Sequence, residues 1–190
     1  VEADLRILTG FIEPHFFAGF SGGPKAILPG TAGAGTIQRN HSSKMIAHPK
    51  ATFGNTWGNP LWEEMAEAVH CVGPCFLLNV SLNTQGEVTG LFTGEVFGAH
   101  QAGCDFVREN AMACVDAPFD VVVTTNSGYP LDQNLYQSVK GLSAAEQIVR
   151  KGGAILLASR CEKGLPDGGG YAQFLREAGA LDVALEKLND

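Results

Sequence analysis

Glu13–Gly30 reads EPHFFAGFSGGPKAILPG, eighteen residues that gather an imidazole, a hydroxyl, a Gly-Gly pair and an amine. An imidazole is the one side chain in this run that takes and returns a proton near neutral pH, so His15 is the candidate acid/base. Lys25 offers a point charge or, with its amine deprotonated, a nucleophile. Gly22 and Gly23 lack a Cβ and so can bring bare amides close to an anion, with the Ser21 hydroxyl beside them. The plain alternative is a tight structural loop with a solvated lysine and a capping histidine. A Walker A loop is excluded, because G-x-x-x-x-G-K cannot be fitted around Lys25. A dinucleotide fingerprint is excluded as well. Gly33-Ala34-Gly35 opens as G-x-G, but Gln38 stands where the third glycine belongs.

Two further sets of residues could join this one. His41, in Arg39-Asn40-His41-Ser42-Ser43, can fill one coordination position of a metal, although a lone helical histidine is more often structural. His48 reads as lying near a helix end before Pro49, and His70 and His100 read as helix-surface residues. No pair of histidines three or four apart shares a helix face, so a zinc cage built by protein alone is not expected. The second set is Asn126–Lys140, NSGYPLDQNLYQSVK. Tyr136 and Lys140 are four residues apart and share a helix face, with Gln137 beside them. A phenol, an amide and an ammonium together suit a carboxylate and a hydroxyl. A polar helix surface is the alternative.

The elements that position these groups follow from hydrophobic patterning. Leu5–Ile12 reads as a buried strand delivering the chain into a Gly- and Pro-dense loop over Glu13–Gly35. Helix is expected over Gly33–Ala47 and Leu61–His70, with a turn-rich loop over Thr52–Pro60 between them. Cys75–Leu82 and Val88–Thr93 read as strands joined by a turn at Asn83–Gly86, and Glu95–Cys114 as the longest helix. After Ala117-Pro118, Phe119–Thr125 reads as a parallel strand buried on both faces. Helices near Gln133–Val139 and Ser143–Lys151, a strand over Ala154–Ser159, a loop over Gly164–Gly170 and a helix to about Lys187 complete a doubly wound β-α-β-α pattern. The fold class is therefore α/β: two α/β domains with mainly parallel sheets, residues 1–116 and 117–190. Both active clusters then follow a strand, where ligands bind in such sheets.

Composition narrows the function. The 190 residues are 45% hydrophobic and 17% charged, which suits a globular chain with a core. A net charge of −7 argues against nucleic acid or an anionic membrane as partner. The five cysteines are odd in number and form no C-x-x-C, so neither a disulfide framework nor a structural zinc site is expected and a reducing, cytoplasmic setting is. No apolar run reaches the roughly 20 residues that span a bilayer. The chain starts at Val1 almost directly in a strand and ends in a helical pattern, so both ends read as cuts.

P-H-F-F-A-G-F-S-G-G-P-K, then a histidine sixteen residues after the lysine, then Y-Q-S-V-K, resembles the nickel-pincer lactate racemase family along nearly the whole chain. The resemblance implies a nickel ion held in a modified pyridinium mononucleotide, with one protein histidine completing a planar site. Lys25 matches the lysine that joins this cofactor through a thioamide, in the loop of Ser21, Gly22 and Gly23. His41 matches the nickel ligand, His15 one of two acid/base histidines, and Tyr136, Gln137 and Lys140 residues lining the pocket. The implied reaction is racemisation or epimerisation of a 2-hydroxy acid. His15 takes the hydroxyl proton as hydride leaves C2, a planar 2-keto acid forms, and hydride returns to either face. The implied partners are the small-molecule substrate and the cofactor-biosynthesis proteins. The second histidine and a substrate-binding arginine would precede Val1, and a tryptophan would follow Asp190, so residues 1–190 alone are expected to be inactive. Two other classes compete: a Lys25-dependent Schiff-base or phosphate-handling enzyme, and a non-catalytic module binding a sugar acid or nucleotide.

Overall fold

The computed structural model describes residues 3–166 and 170–189, so residues 167–169 of the loop expected over Gly164–Gly170 lie outside the described residues. The chain divides into two compact units, Val1–Ala113 and Cys114–Asp190.

In the first unit, β1 (Ile7–Phe11) pairs in parallel with β4 (Phe76–Leu82), and β4 pairs antiparallel with β5 (Val88–Glu95), giving the order β1-β4-β5. Parallel pairing demands a crossover, and the chain between β1 and β4 supplies it through α1 (Ala34–Asn40), α2 (Ser43–Ile46) and α3 (Pro60–Val72). The expected helix over Gly33–Ala47 is two helices, interrupted at His41 and Ser42. Asn59 starts α3 by accepting from the Leu61 N–H, with Pro60 at the first turn. Leu61, Met65 and Val69 then repeat every four residues and are buried as one stripe. Glu95 ends β5 and caps α4 (Val96–Ala111), its carboxylate accepting from Phe97 and Gly98 N–H. The core joins Leu8 and Leu77 of the sheet to Ile27, Val69 and Val96. A second cluster gathers Phe17, Ala18, Leu28, Leu61 and Met65.

The stretch expected as pure loop holds a small antiparallel hairpin, β2 (Pro14–His15) with β3 (Gly19–Phe20), and a 3-10 turn over Gly23–Ala26. In the second unit β6 (Phe119–Thr125) and β7 (Val149–Ala158) are parallel and joined through α5 (Leu135–Glu146), with α6 (Tyr171–Ala178) and α7 (Leu181–Asn189) after them. Where two helices were expected there is one, because Gly141 is a point of close approach rather than a break: a Cβ there would stand 2.5 Å from Thr125 O. β7 starts five residues earlier than Ala154, absorbing Gly152-Gly153 into an irregular register against Phe119 and Val121. β6 is not buried on both faces. Among the described residues α5 covers one face, and Val121 and Val123 on the other are exposed. No helix among the described residues is long and apolar enough to cross a membrane.

Candidate functional site

Where β1 ends, the chain turns through Glu13 into the β2/β3 hairpin, and the hairpin tip is clamped from below by a buried asparagine. Asn59 Nδ2 donates to Phe17 O at 2.8 Å and to Asn55 O at 2.9 Å while its Oδ1 serves the α3 N-terminus. Gly54 N–H donates to Gly19 O at 2.9 Å. Phe17 is thereby held in the core, and Phe16 packs against the same cluster.

Phe17 is also the hub of the candidate site. Its ring lies 4.5 Å from the His15 ring, edge to face, and 5.0 Å from the His41 ring, again edge to face. Lys25 Nζ stands 5.6 Å from its centroid, within range of a cation–π contact. Lys25 Nζ is also 3.2 Å from His15 Nε2. His15, Lys25 and His41, separated by ten and sixteen residues in sequence, thus have the Phe17 ring as a common neighbour.

Each ring is oriented by backbone. His15 Nδ1 accepts from Ala18 N–H at 3.2 Å, with Phe17 N–H at 3.5 Å, so Nε2 is the nitrogen presented outward to Lys25. His41 follows the last residue of α1, and its Nδ1–H donates to Ile37 O at 3.2 Å, which leaves the Nε2 lone pair uncommitted by that bond. Burial holds the His41 pKa below the ordinary histidine value, the nearby Lys25 charge lowers it further, and the Ile37 carbonyl opposes both. The ring is therefore held in the neutral form that ligates metals.

The small residues of the loop are engaged within the protein. Ser21 Oγ donates to Phe11 O and accepts from Glu13 N–H, both at 2.9 Å. Gly22 and Gly23 have φ of 74° and 53°, the left-handed region that favours glycine. Gly23 N–H is taken by Asn79 Oδ1 at 2.8 Å. That amide is committed to protein rather than offered to an anion.

Tyr136, Gln137 and Lys140 lie on α5 of the second unit. Asn134 caps this helix by accepting from Gln137 N–H at 2.9 Å, and Asn126 Nδ2 donates to Gln137 O at 3.0 Å. Tyr136 and Lys140 are exposed, and Tyr136 meets Tyr171 edge to face at 5.3 Å. His48 and His70 are exposed. His100 is not the surface residue expected: it is 1% exposed, facing the core with Val96, Gly103, Cys104 and Val107. That stripe was legible, since 96, 100, 103, 104 and 107 follow helical periodicity. Asn79 carried a signal too, as a polar residue at an inward position of an apolar strand.

A profile of the lactate racemase N-terminal domain matches residues 1–54, and one of the lactate racemase C-terminal domain matches residues 114–189. A curated lactate racemase of Thermoanaerobacterium thermosaccharolyticum is 46% identical over 184 residues, 96% of this chain and 43% of that protein. A lactate racemase of Lactiplantibacillus plantarum is 43% identical over 189 residues, 99% of this chain and 43% of that protein. The solved structure of the lactate racemase apoprotein from T. thermosaccharolyticum is similar with a TM-score of 0.92 at 44% identity, covering 98% of this chain and 44% of that one. The chain spans less than half the length of these relatives.

Proposed function

Because the chain belongs to the lactate racemase family, we propose that the protein carrying it racemises or epimerises a 2-hydroxy acid, lactate or a relative of it. The observation that carries the reading is the gathering of His15, Lys25 and His41 around Phe17.

The donor set fits a nickel-pincer nucleotide. His41 offers one neutral imidazole nitrogen. Among the described residues no three His, Cys, Asp or Glu side chains stand together to hold a metal. A metal at His41 would need a carrier to supply further donors, and sulfur donors would suit nickel. The Lys25 amine, sharing the Phe17 surface with His41, is the attachment point for that carrier. When bound, the group supplies a hydride acceptor and donor for C2 of the substrate.

The chain's own residues handle the proton and the charge. His15 takes the hydroxyl proton at Nε2 and returns it to the carbonyl oxygen of the 2-keto acid. Taking that proton at Nε2 requires the tautomer that carries its resting proton on Nδ1, in place of the bond Nδ1 accepts from the Ala18 amide. In the second unit Lys140, with Tyr136 and Gln137 beside it on α5, offers the cation and hydrogen-bonding groups that suit a carboxylate. Racemisation requires a base on each face. Among the described histidines His48 and His70 are exposed and His100 Nε2 is spent on Ser21 O; the family resemblance implies that the second base is a histidine these residues do not include. The setting is the cytoplasm, with the cofactor-forming proteins as partners.

The test is racemisation of C2-deuterated lactate by the full-length protein in ordinary water. Deuterium retained at C2 of the inverted product, with kcat lowered about 10²–10⁴-fold in His15→Gln, is the expected result. Exchange of C2 deuterium with solvent would show a carbanion route and overturn the reading.

A further inference from the structure

The Gly-Gly pair before Lys25 is held by two buried polar side chains from elements far away in sequence. Asn79, in the middle strand, has no exposed surface; it accepts from Gly23 N–H at 2.8 Å and donates to Leu8 O at 3.3 Å. His100, on α4, donates from Nε2 to Ser21 O at 3.0 Å. Its ring also fills the space a side chain at position 23 would need: a Cβ there would come within 2.5 Å of His100 Cγ and Cδ2. At Gly22 a Cβ would meet Asn79 Oδ1 at 2.5 Å. Burying an amide and an imidazole where leucine would pack carries a desolvation cost, which only their hydrogen bonds offset. Both side chains direct bonds to the backbone of Ser21–Gly23, immediately ahead of the turn that bears Lys25.

We propose that Asn79 and His100 are positioning residues that fix the Ser21–Gly23 turn, so that the Lys25 amine is presented to His15 and to the Phe17 surface. Their importance for catalysis rests on reading Lys25 as the cofactor attachment point; the clamp itself does not. His100→Leu keeps the apolar volume and removes the bond to Ser21 O. His100→Gln keeps an N–H donor near the place of Nε2.

The experiment measures hydrogen exchange of residues 20–30 in unloaded full-length protein, and the loaded fraction at Lys25 by mass after co-expression with the cofactor-forming enzymes. His100→Leu is expected to speed exchange in this segment by about tenfold, the effect of losing one hydrogen bond to a buried carbonyl. The loaded fraction falls several-fold, and per loaded enzyme kcat falls while KM for the 2-hydroxy acid holds. His100→Gln restores most of both. Wild-type exchange and wild-type loading in His100→Leu would overturn the proposal, as would a Gln variant no better than the Leu variant, with exchange raised throughout the unit. Should His100→Leu fail to fold, His100→Gln and Gly23→Ala decide: full loading in Gly23→Ala, whose Cβ displaces the turn from His100, overturns it. An unmodified Lys25 in the unaltered protein counts against the cofactor reading, and exchange over 20–30 then decides the clamp alone.

Discussion

His41 and His100 are both held below the ordinary histidine pKa of 6.5, His41 by burial and then by the Lys25 charge, His100 by burial. The unfolded chain therefore takes up protons first as the pH falls. Stability is fully present above about 6.5 and is lost as the pH drops through that value toward the lowered folded values. Urea midpoints should consequently fall between about pH 7.5 and about pH 5, and His100→Gln should flatten that dependence. A midpoint unchanged over this range would contradict the burial of neutral imidazoles. At this scale the sequence was partly legible. Spacing and residue type pointed to His15, Lys25 and His41, but Phe17 carries no chemistry of its own and nothing local marks it as their common neighbour. The Gly22-Gly23 pair was legible as a special turn, yet its partner Asn79 lies 56 positions from Gly23, beyond any local pattern.

At the scale of elements, β4, α3 and α4 bury one face or stripe in the way their period dictates, whereas β1 and β6 were read from apolar or β-branched runs and are mostly exposed. The sequence pattern misjudged α5 and β7. Glycine is read from sequence as a breaker, but Gly141 allows α5 to approach the β6 backbone, with the Cβ position 2.5 Å from Thr125 O. Gly141→Ala should therefore push the helix outward and destabilise the second unit by about 1–3 kcal/mol, although alanine is the better helix former. Equilibrium urea unfolding checks this, and a stabilised variant would show that the approach is not tight. The expected two-sided burial of β6 failed for a different reason. A β-branched run such as FDVVVTT reports what a strand is fit for, not how many layers cover it.

For the molecule as a whole, the β1-β4-β5 sheet and the β6-β7 sheet are each covered on one face only among the described residues. Leu91 is 64% and Val123 72% exposed, with Ile7, Phe76, Leu78, Val121 and Leu156 also exposed. Apolar patches of this kind bind hydrophobic probes. The 190-residue chain by itself should enhance anilinonaphthalene sulfonate fluorescence, and Leu91→Lys and Val123→Lys should reduce it. The central claim, that one imidazole, one amine and a second imidazole serve a single bound heterocycle, is tested most directly by intact mass and metal analysis of full-length protein made with the cofactor-forming enzymes. We expect an adduct on Lys25 carrying two added sulfur atoms and nickel at one ion per chain, with His41→Ala keeping the adduct and losing nickel. An unmodified Lys25 without nickel, or a borohydride-trapped Schiff base on it, would contradict the account.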